Sequence, residues 1–474
     1  MASLKETTPS YILALDLEPE IYQQDIFDTR FNIARQIYNS CLGELLKRYK
    51  MMQADKEYQL VVEIAKSKER NKLFEQLNQK YKLNEYSLHE FVKPMQHHFS
   101  KNIDAFTAQK IATRAWKSFK KLMFHQAKKV VFKRFGEMDS VEGKSNGTGI
   151  KFRDNQLIWN GLKVKVLLEK KDSYAQMALR DRVKYCRIVR REVRGKIKYY
   201  LQLVLEGIPP LKIHKTTGEV KRYTKDGEVG LDIGISTLAV VSDDKVTLLE
   251  FCNGIDNLDK VRRRLQRRMD RSKRATNPNK FAENGTFKKE NKDKWIFSNH
   301  YKKVRSQLKD TQRKIASKRK IEHETLSNSV LEQGNTVKVE KMNYKGLQKG
   351  KYGKRLGIKA PSMFLTILDR KLKYQGKGLL KVNTWTVKAS QYNPLDDTYT
   401  KKSLSERWQI LSNGFRIQRD IFSAWLIKNV KDDLQEVDRQ KCLDSFEKFQ
   451  GLYQIEENRL NQCNGLISSM GFLS

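Results

Sequence analysis

The sequence predicts a multidomain α+β protein, and three observations lead there. Residues 21–128 show helical periodicity almost without a break. From Val130 the period shortens to that of β-strands. From Val229 short apolar strands alternate with helices, as in an α/β domain. The 474 residues are 39% hydrophobic and 10% aromatic, enough to bury sizeable cores and to exclude wholesale disorder. A chain of this length divides into about two to four domains.

Residues 11–15, YILAL, read as a short strand. In the helical segment Phe27, Phe31, Ala34, Tyr38, Cys41, Leu42 and Leu45 recur at helical spacing. A second helix puts Ile111, Ala115, Trp116, Phe119 and Met123 on one side, with Arg114, Lys117, Lys120 and Lys121 mostly off that stripe. Trp116 and Phe119 are read as core rather than as base-stacking residues. Only eight prolines occur, so these helices run long. Strands are expected at 130–132, 162–166 and 186–189, with a hairpin turn at Arg194-Gly195-Lys196 leading into a strand at 197–205. The loop EGKSNGTG (142–149) lacks GxxxxGK[ST] spacing, and no nucleotide site is assigned to it.

Three short strands then follow at 229–233, 237–241 and 246–251, joined by Gly234-Ile235-Ser236 and Ser242-Asp243-Asp244. A basic helical stretch comes next. After it stand a strand at 336–339 ending on Glu340, a helix at 362–374, a strand at 379–383, a polar segment and a helix starting near Asp420. This β-β-β-α-β-α-β-α order is the plan of an RNase H-like α/β domain, in which the first and fourth strands lie side by side. No internal repeat is detected.

The charge points to a partner. Lys and Arg number 94 against 55 Asp and Glu, a net +39. Such an excess strains a compact fold by self-repulsion and suits a polyanion: DNA, RNA or an anionic membrane. No apolar run approaches the roughly 18 residues of a spanning helix. The N-terminus has acids where a signal peptide needs a basic region and a long apolar one. The excess is also uneven. Residues 260–320 hold 23 Lys/Arg and 5 Asp/Glu, whereas 431–474 hold 5 and 8. A uniform solubilising coat would not look like this. The five cysteines, Cys41, Cys186, Cys252, Cys442 and Cys463, form no CxxC pair. That argues for a reducing compartment and against a disulfide framework or a cysteine-rich zinc site.

Three carboxylates stand out by position. Asp232 sits in the apolar strand VGLDIGIS, Glu340 ends VKVEKMN, and Asp420 opens the helix of IQRDIFSAWLIKN. Charged groups at the ends of apolar strands are costly unless paired or metal-bound. Taken singly, Asp232 reads as a turn-capping acid, Glu340 as half of a salt bridge and Asp420 as a first-turn acid favoured by the helix dipole. Together they occupy three elements that an RNase H-like sheet brings to one point. Ala424 and Ile427 follow Asp420 at i+4 and i+7, so Asp420 faces inward. Three such acids suit two divalent cations that activate water and stabilise the leaving oxygen of a phosphodiester.

At LDIGIS, VKVEKMN and QRDIFSAWLI the chain resembles the TnpB family of transposon-encoded RNA-guided nucleases and the related compact type V CRISPR effectors. These carry Asp in DxG, Glu in v-v-E-x-[LM]-N and Asp in RDxxxA, matching Asp232, Glu340 and Asp420. The segment ARQIYNSCLGEL (34–45) is similar to the family's R-x-x-Y-N-x-x-L helix. AWKSFKKLMFHQAKKVVFKRF (115–135) resembles its A-x-x-x-F-x-x-x-x-x-x-P-x-F-K segment without the proline, and LDKVRRRLQRRMDRSKR (258–274) resembles its bridge-like stretch. The match spans most of residues 10–430.

The resemblance implies an RNA-guided DNA endonuclease with a helical recognition lobe, a β-barrel-like wedge domain and a RuvC-like nuclease domain. The implied organisation is wedge strand 1–20, recognition domain 21–128, wedge 129–226, nuclease 227–385, ribbon-like insert 386–414, and third nuclease motif with acidic tail 415–474. It implies Asp232, Glu340 and Asp420 as catalytic ligands of two Mg²⁺. Its implied partners are a guide RNA, target double-stranded DNA and their RNA–DNA heteroduplex, with base pairing reading the target beside a short adjacent motif. A monomer is expected, with a dimer as the alternative, in the prokaryotic cytoplasm at the nucleoid. The family's four-cysteine ribbon is missing: 387–420 contains no cysteine, so no zinc is expected, and packing by Tyr392, Tyr399, Leu404 and Trp408 is expected in its place.

Nucleic-acid contacts are expected from Arg262, Arg263, Arg264, Arg267, Arg268 and Arg271, since guanidinium makes planar bidentate phosphate contacts. Lys117, Lys120 and Lys121 are further candidates, as are Lys351, Lys354 and Arg355 in KGKYGKRLG (349–357), read as a mobile loop or a lid. The bland alternative for each run is a solvated basic face. His97-His98 are not read as ligands, because adjacent side chains diverge. Other readings of the chain are an RNA-guided repressor without cleavage, an RNase H-fold transposase acting without RNA, and a basic ribosome-associated protein.

Overall fold

The first strand, β1 (Ser10–Glu18), alternates strictly, with Tyr11, Leu13, Leu15 and Leu17 buried. Here and below the coordinates are a computed structural model describing residues 8–214, 216–288, 290–403, 406–463 and 466–472. They divide into two units, Met1–Leu211 and Lys212–Ser474, and the chain is mixed α/β.

In the first unit β1 leads to α1 (Ile21–Gln53), α2 (Lys56–Glu63), α3 (Lys68–Lys80), α4 (Glu85–His98) and α5 (Ala105–Met123). The helical stretch is cut into separate rods by side-chain caps: Asp55, Ser67, Asn84 and Asp104 each accept a backbone N–H at a helix start. The apolar stripe of α1 from Phe27 to Leu45 is buried, as is that of α5 at Ile111, Ala115 and Phe119. Trp116 tilts against Phe119 at 5.8 Å, while Lys117, Lys120 and Lys121 are exposed.

The strands of this unit are β2 (Ser140–Glu142), β3 (Ile150–Arg153), β4 (Gln156–Trp159) and β5 (Leu162–Leu167), then, after α6 (Ser173–Ala178), β6 (Val183–Val193) and β7 (Lys196–Glu206). They form one antiparallel sheet, ordered β2-β6-β7-β1-β5-β4-β3. The β6–β7 turn is two residues long, Arg194 and Gly195, with φ of 52° and 78°. The strand expected at 130–132 does not form, and Val131 and Phe132 are exposed. Just after it, the Asn39 side chain accepts the Lys133 N–H and donates to the Lys133 carbonyl, both at 2.9 Å. That occupies backbone groups a ladder would use.

The second unit opens with β8 (Glu228–Ile233), β9 (Thr237–Val241) and β10 (Val246–Glu250). The basic stretch forms a helical hairpin, α7 (Asp256–Thr276) and α8 (Asn299–Leu331), closed by Leu265 and Met269 against Val304 and Leu308. Then come β11 (Thr336–Glu340), α9 (Tyr344–Leu347), α10 (Gly353–Lys359), α11 (Pro361–Lys373), β12 (Leu380–Val382) and α12 (Thr384–Val387). The sheet order is β10-β9-β8-β11-β12, with β11 parallel to both β8 and β12. Residues 353–359 are thus helical rather than a loop, and the buried Lys359 ammonium fixes them by donating to the Phe251 carbonyl at 2.7 Å.

Two hairpins follow, β13 (Tyr392–Asn393) with β14 (Thr398–Tyr399) and β15 (Trp408–Ile410) with β16 (Arg416–Gln418). Tyr392 and Tyr399 pack at 4.8 Å, the Trp408 ring meets Phe472 at 4.9 Å, and the Arg416 guanidinium lies 4.0 Å over Trp408. Leu404, expected to join them, lies outside the described residues. The chain ends with α13 (Arg419–Lys428) and α14 (Arg439–Asn461). The acidic tail packs on its own unit: Cys442, Phe446, Phe449, Tyr453 and Leu460 are buried, and Trp425 stacks on Phe449 at 4.6 Å. No helix among the described residues is long and apolar enough to cross a membrane.

Candidate active site

Strand alternation assigns each residue of β8 to a face. Val229, Leu231 and Ile233 join a core with Val337, Val339 and Phe364. Gly230 and Asp232 point the other way, toward α13. On β11, Val339 pairs with Leu231, so one step further Glu340 lies beside Asp232. Two acidic residues therefore share one face, on strands whose backbones are one spacing (~4.8 Å) apart.

The helix α13 brings the third. Its backbone crosses directly over β8, and a Cβ on Gly230 would lie 2.0 Å from the Ala424 carbonyl oxygen and 2.5 Å from the Lys428 nitrogen. Only glycine fits there. The Lys338 ammonium, buried on the same face of β11, donates to the carbonyls of Lys428 and Val430 and holds the far end of the helix. Asp420 lies one turn before Ala424 on the same stripe, which carries it toward Asp232.

The electrostatics agree with this placement. Burial raises the Asp232 carboxyl well above its ordinary range, and the charges of Asp420 and Glu340 raise it further. Arg419 and Arg407 oppose that shift. Burial also raises Glu340. Asp420 accepts a hydrogen bond from the Thr237 hydroxyl at 3.1 Å and lies 4.0 Å from the Arg407 guanidinium. Gly234 makes room for that hydroxyl, since a Cβ there would meet Thr237 Oγ1 at 2.4 Å.

Tyr344, on α9 just past Glu340, has a buried hydroxyl with no hydrogen-bond partner among the described residues. Burial, then Asp232 and Glu340, raise its pKa. Thr237, Arg407, Arg419 and Tyr344 were not singled out from the sequence. Only Arg419 carried a signal there, as the residue before Asp420 in QRDIFSAWLI.

Among the described residues no three His, Cys, Asp or Glu side chains are drawn together as a ready ligand group. The acids lie within electrostatic reach of one another, short of a closed cage. Their donor set fits a hard divalent cation: oxygen only, and partly buried negative charge that a cation would relieve.

The basic candidates divide. Arg262 and Arg263 pair with Asp259 at 2.6 and 3.1 Å. Arg264, Arg267, Arg268 and Arg271 are exposed along α7. Lys351, just before α10, and Lys354 and Arg355 in its first turn are exposed, whereas Leu356 and Lys359 of that helix are buried.

No protein-family model and no curated protein matches this chain. Two solved structures are similar to it at low identity. One is a cryo-EM structure of a Cas12f1–sgRNA–target DNA complex, with 12% identity, a TM-score of 0.43, and coverage of 89% of this chain and 99% of that one. The other is a cryo-EM structure of a CRISPR–Cas12f ternary complex, with 12% identity, a TM-score of 0.30, and coverage of 86% and 82%.

Proposed function

We propose that the protein is an RNA-guided, Mg²⁺-dependent DNA endonuclease with a single RuvC-like site in an RNase H-like domain. What supports the chemistry is that Asp232 and Glu340 stand side by side on the α13 face of one five-stranded sheet, with Asp420 within electrostatic reach of Asp232. Two bound Mg²⁺ would supply an activated water and charge stabilisation at the scissile phosphate. The protein's own groups do the rest. Asp232 and Glu340 hold negative charge on adjacent strands. Asp420 is oriented by the Thr237 hydroxyl, and Arg407 at its side offers a cation to an incoming phosphate oxygen. No nucleophilic side chain is required.

Guidance by RNA is supported by the ordered motif set and by the charge. The +39 excess suits a complex of a guide, a target duplex and a heteroduplex. Exposed Arg264, Arg267, Arg268 and Arg271 give α7 a phosphate-binding face. The insert at 386–414, cysteine-free and packed through Tyr392 and Trp408, is read as a ribbon that dispenses with zinc.

The test is cleavage by the protein purified with its co-purifying RNA. Sequencing that RNA supplies the target, which is presented in duplex DNA with Mg²⁺. Wild-type protein is expected to cut, and Asp232→Ala to bind without cutting. Undiminished cutting by Asp232→Ala would refute the site. Binding without cutting by the wild type would mean a repressor. DNA joining after complete RNA removal would mean a transposase.

A further inference from the structure

We infer that Trp385 is a base-stacking residue, holding an unpaired nucleotide of the substrate strand beside the acidic site. The inference rests on the nuclease reading above and names how that site grips its substrate.

Trp385 is 85% exposed, an extreme value for an indole. Its backbone is nevertheless firmly held. The Asn383 side chain accepts the Trp385 N–H at 3.0 Å and donates to Gln435 Oε1 at 2.9 Å, and the Asn383 N–H donates to the Leu434 carbonyl at 3.0 Å. Val387, two residues on, is buried and donates its N–H to the Asn383 carbonyl at 3.0 Å. A rigid base thus presents a bare ring, which costs little conformational entropy when a partner arrives.

Its place in the sheet says what that partner is. β12 runs parallel beside β11 with Val382 opposite Glu340, and the Lys341 N–H donates to the Val382 carbonyl at 3.1 Å. Trp385 follows Val382 by three residues, a reach of at most about 11 Å. Adding one strand spacing of ~4.8 Å puts its Cα within about 16 Å of the Glu340 Cα, at the carboxyl end of the same strands. A strand with its phosphate at the carboxylates would carry a base only a few nucleotides along to the indole. Exposed Lys341 follows Glu340 directly, and exposed Lys388 stands three residues past Trp385. Cations beside a bare aromatic ring are the elements of a single-strand platform. A paired base has both faces covered by its neighbours, so the ring selects unpaired substrate.

The experiment uses the full-length protein with its bound RNA, in EDTA to prevent cleavage. The probe is a fluorescent single-stranded oligodeoxynucleotide without complementarity to that RNA, alongside a matched strand of abasic sites. Trp385→Ala should weaken binding of the normal strand roughly 5- to 100-fold, as loss of one stacked base does. Trp385→Tyr should recover most of it, and the abasic strand should not distinguish the variants. Equal binding of the normal strand by wild type and Trp385→Ala overturns the inference, as does equal weakening on the abasic strand. If Asp232→Ala abolishes cutting while Trp385→Ala binds normally, only the stacking role fails. If Asp232→Ala cuts undiminished while the Trp385 effect holds, the nuclease site fails and the base contact stands.

Discussion

Replacing Asp232 by Asn should make the metal-free protein more stable. Asp232 and Glu340 stand side by side on neighbouring strands, whose backbones are about 4.8 Å apart. Two like charges at that distance repel by about 3 kcal/mol at an effective dielectric of ~20. Arg407 and Arg419 offset part of this, leaving about 1–2 kcal/mol. The sign follows from the raised carboxyl: its stabilising protonation is complete at acid pH and is lost as pH rises from the ordinary carboxylate range through the raised value. The advantage of Asp232→Asn should therefore widen as pH rises from the ordinary carboxylate range through that raised value. At ~2–4 °C per kcal/mol, the variant should melt about 2–8 °C above the wild type at pH 8 in EDTA. Differential scanning calorimetry of the full chain reads this. Mg²⁺ at a hundredfold over its Kd should add about 2.7 kcal/mol to the wild type and little to the variant, closing or reversing the gap. A variant that melts at or below the wild type in EDTA at pH 8 would refute the reasoning. So would an equal Mg²⁺ response in both proteins.

Three further outcomes are expected. Gly230→Ala drives a methyl group into the Ala424 carbonyl, so the variant should lose about 1–3 kcal/mol in thermal unfolding and, with Asp420 displaced, its cleavage activity. Wild-type stability in Gly230→Ala would show that α13 does not pack as described. Arg267→Gln and Arg268→Gln should each reduce the slope of log affinity against log salt by about 0.9 for duplex DNA. An unchanged slope would make α7 a solvated face. Metal analysis of the purified protein should find no stoichiometric zinc, and EDTA should leave hydrogen-exchange protection of 390–418 unchanged; loss of that protection would indicate a metal site there.

The positions of Asp232 and Glu340 were legible because the strands that carry them are short, apolar and bounded. VGLDI and VKVE each admit one polar residue at the carboxyl end, and the element order says which strands become neighbours. The helix at Asp420 was legible from its apolar residues, all of which are buried. Other features had no such signal. Thr237 reaches Asp420 only because the turn after Asp232 folds back, a contact spanning 183 residues of sequence. Arg407 sits just before a three-residue strand, too short to show a period. Residues 130–132 look like a strand from composition, yet the amide of distant Asn39 claims the backbone beside them. Trp385 illustrates the reverse limit: its residue type suggests burial, and only coordinates show it standing bare.

The way α13 is held bears on how the acids can be relieved. Residues 421–428 are buried on every side, among them Trp425 against Phe449 and Ala424 against Gly230. Lys338 fixes the end of that helix through two carbonyls. A shift of the helix to separate Asp420 from Asp232 would open this packing, at about 2–5 kcal/mol for each large side chain displaced. Easing the repulsion by moving the backbone therefore costs more than the repulsion itself. Two remedies remain, a proton shared among the carboxylates or a cation between them. The first prevails at low pH without metal. The second requires a site left open to solvent, and all three carboxylates are indeed only partly buried. A core that refuses to yield thus keeps the acids close and accessible, which is the condition a metal-dependent nuclease needs.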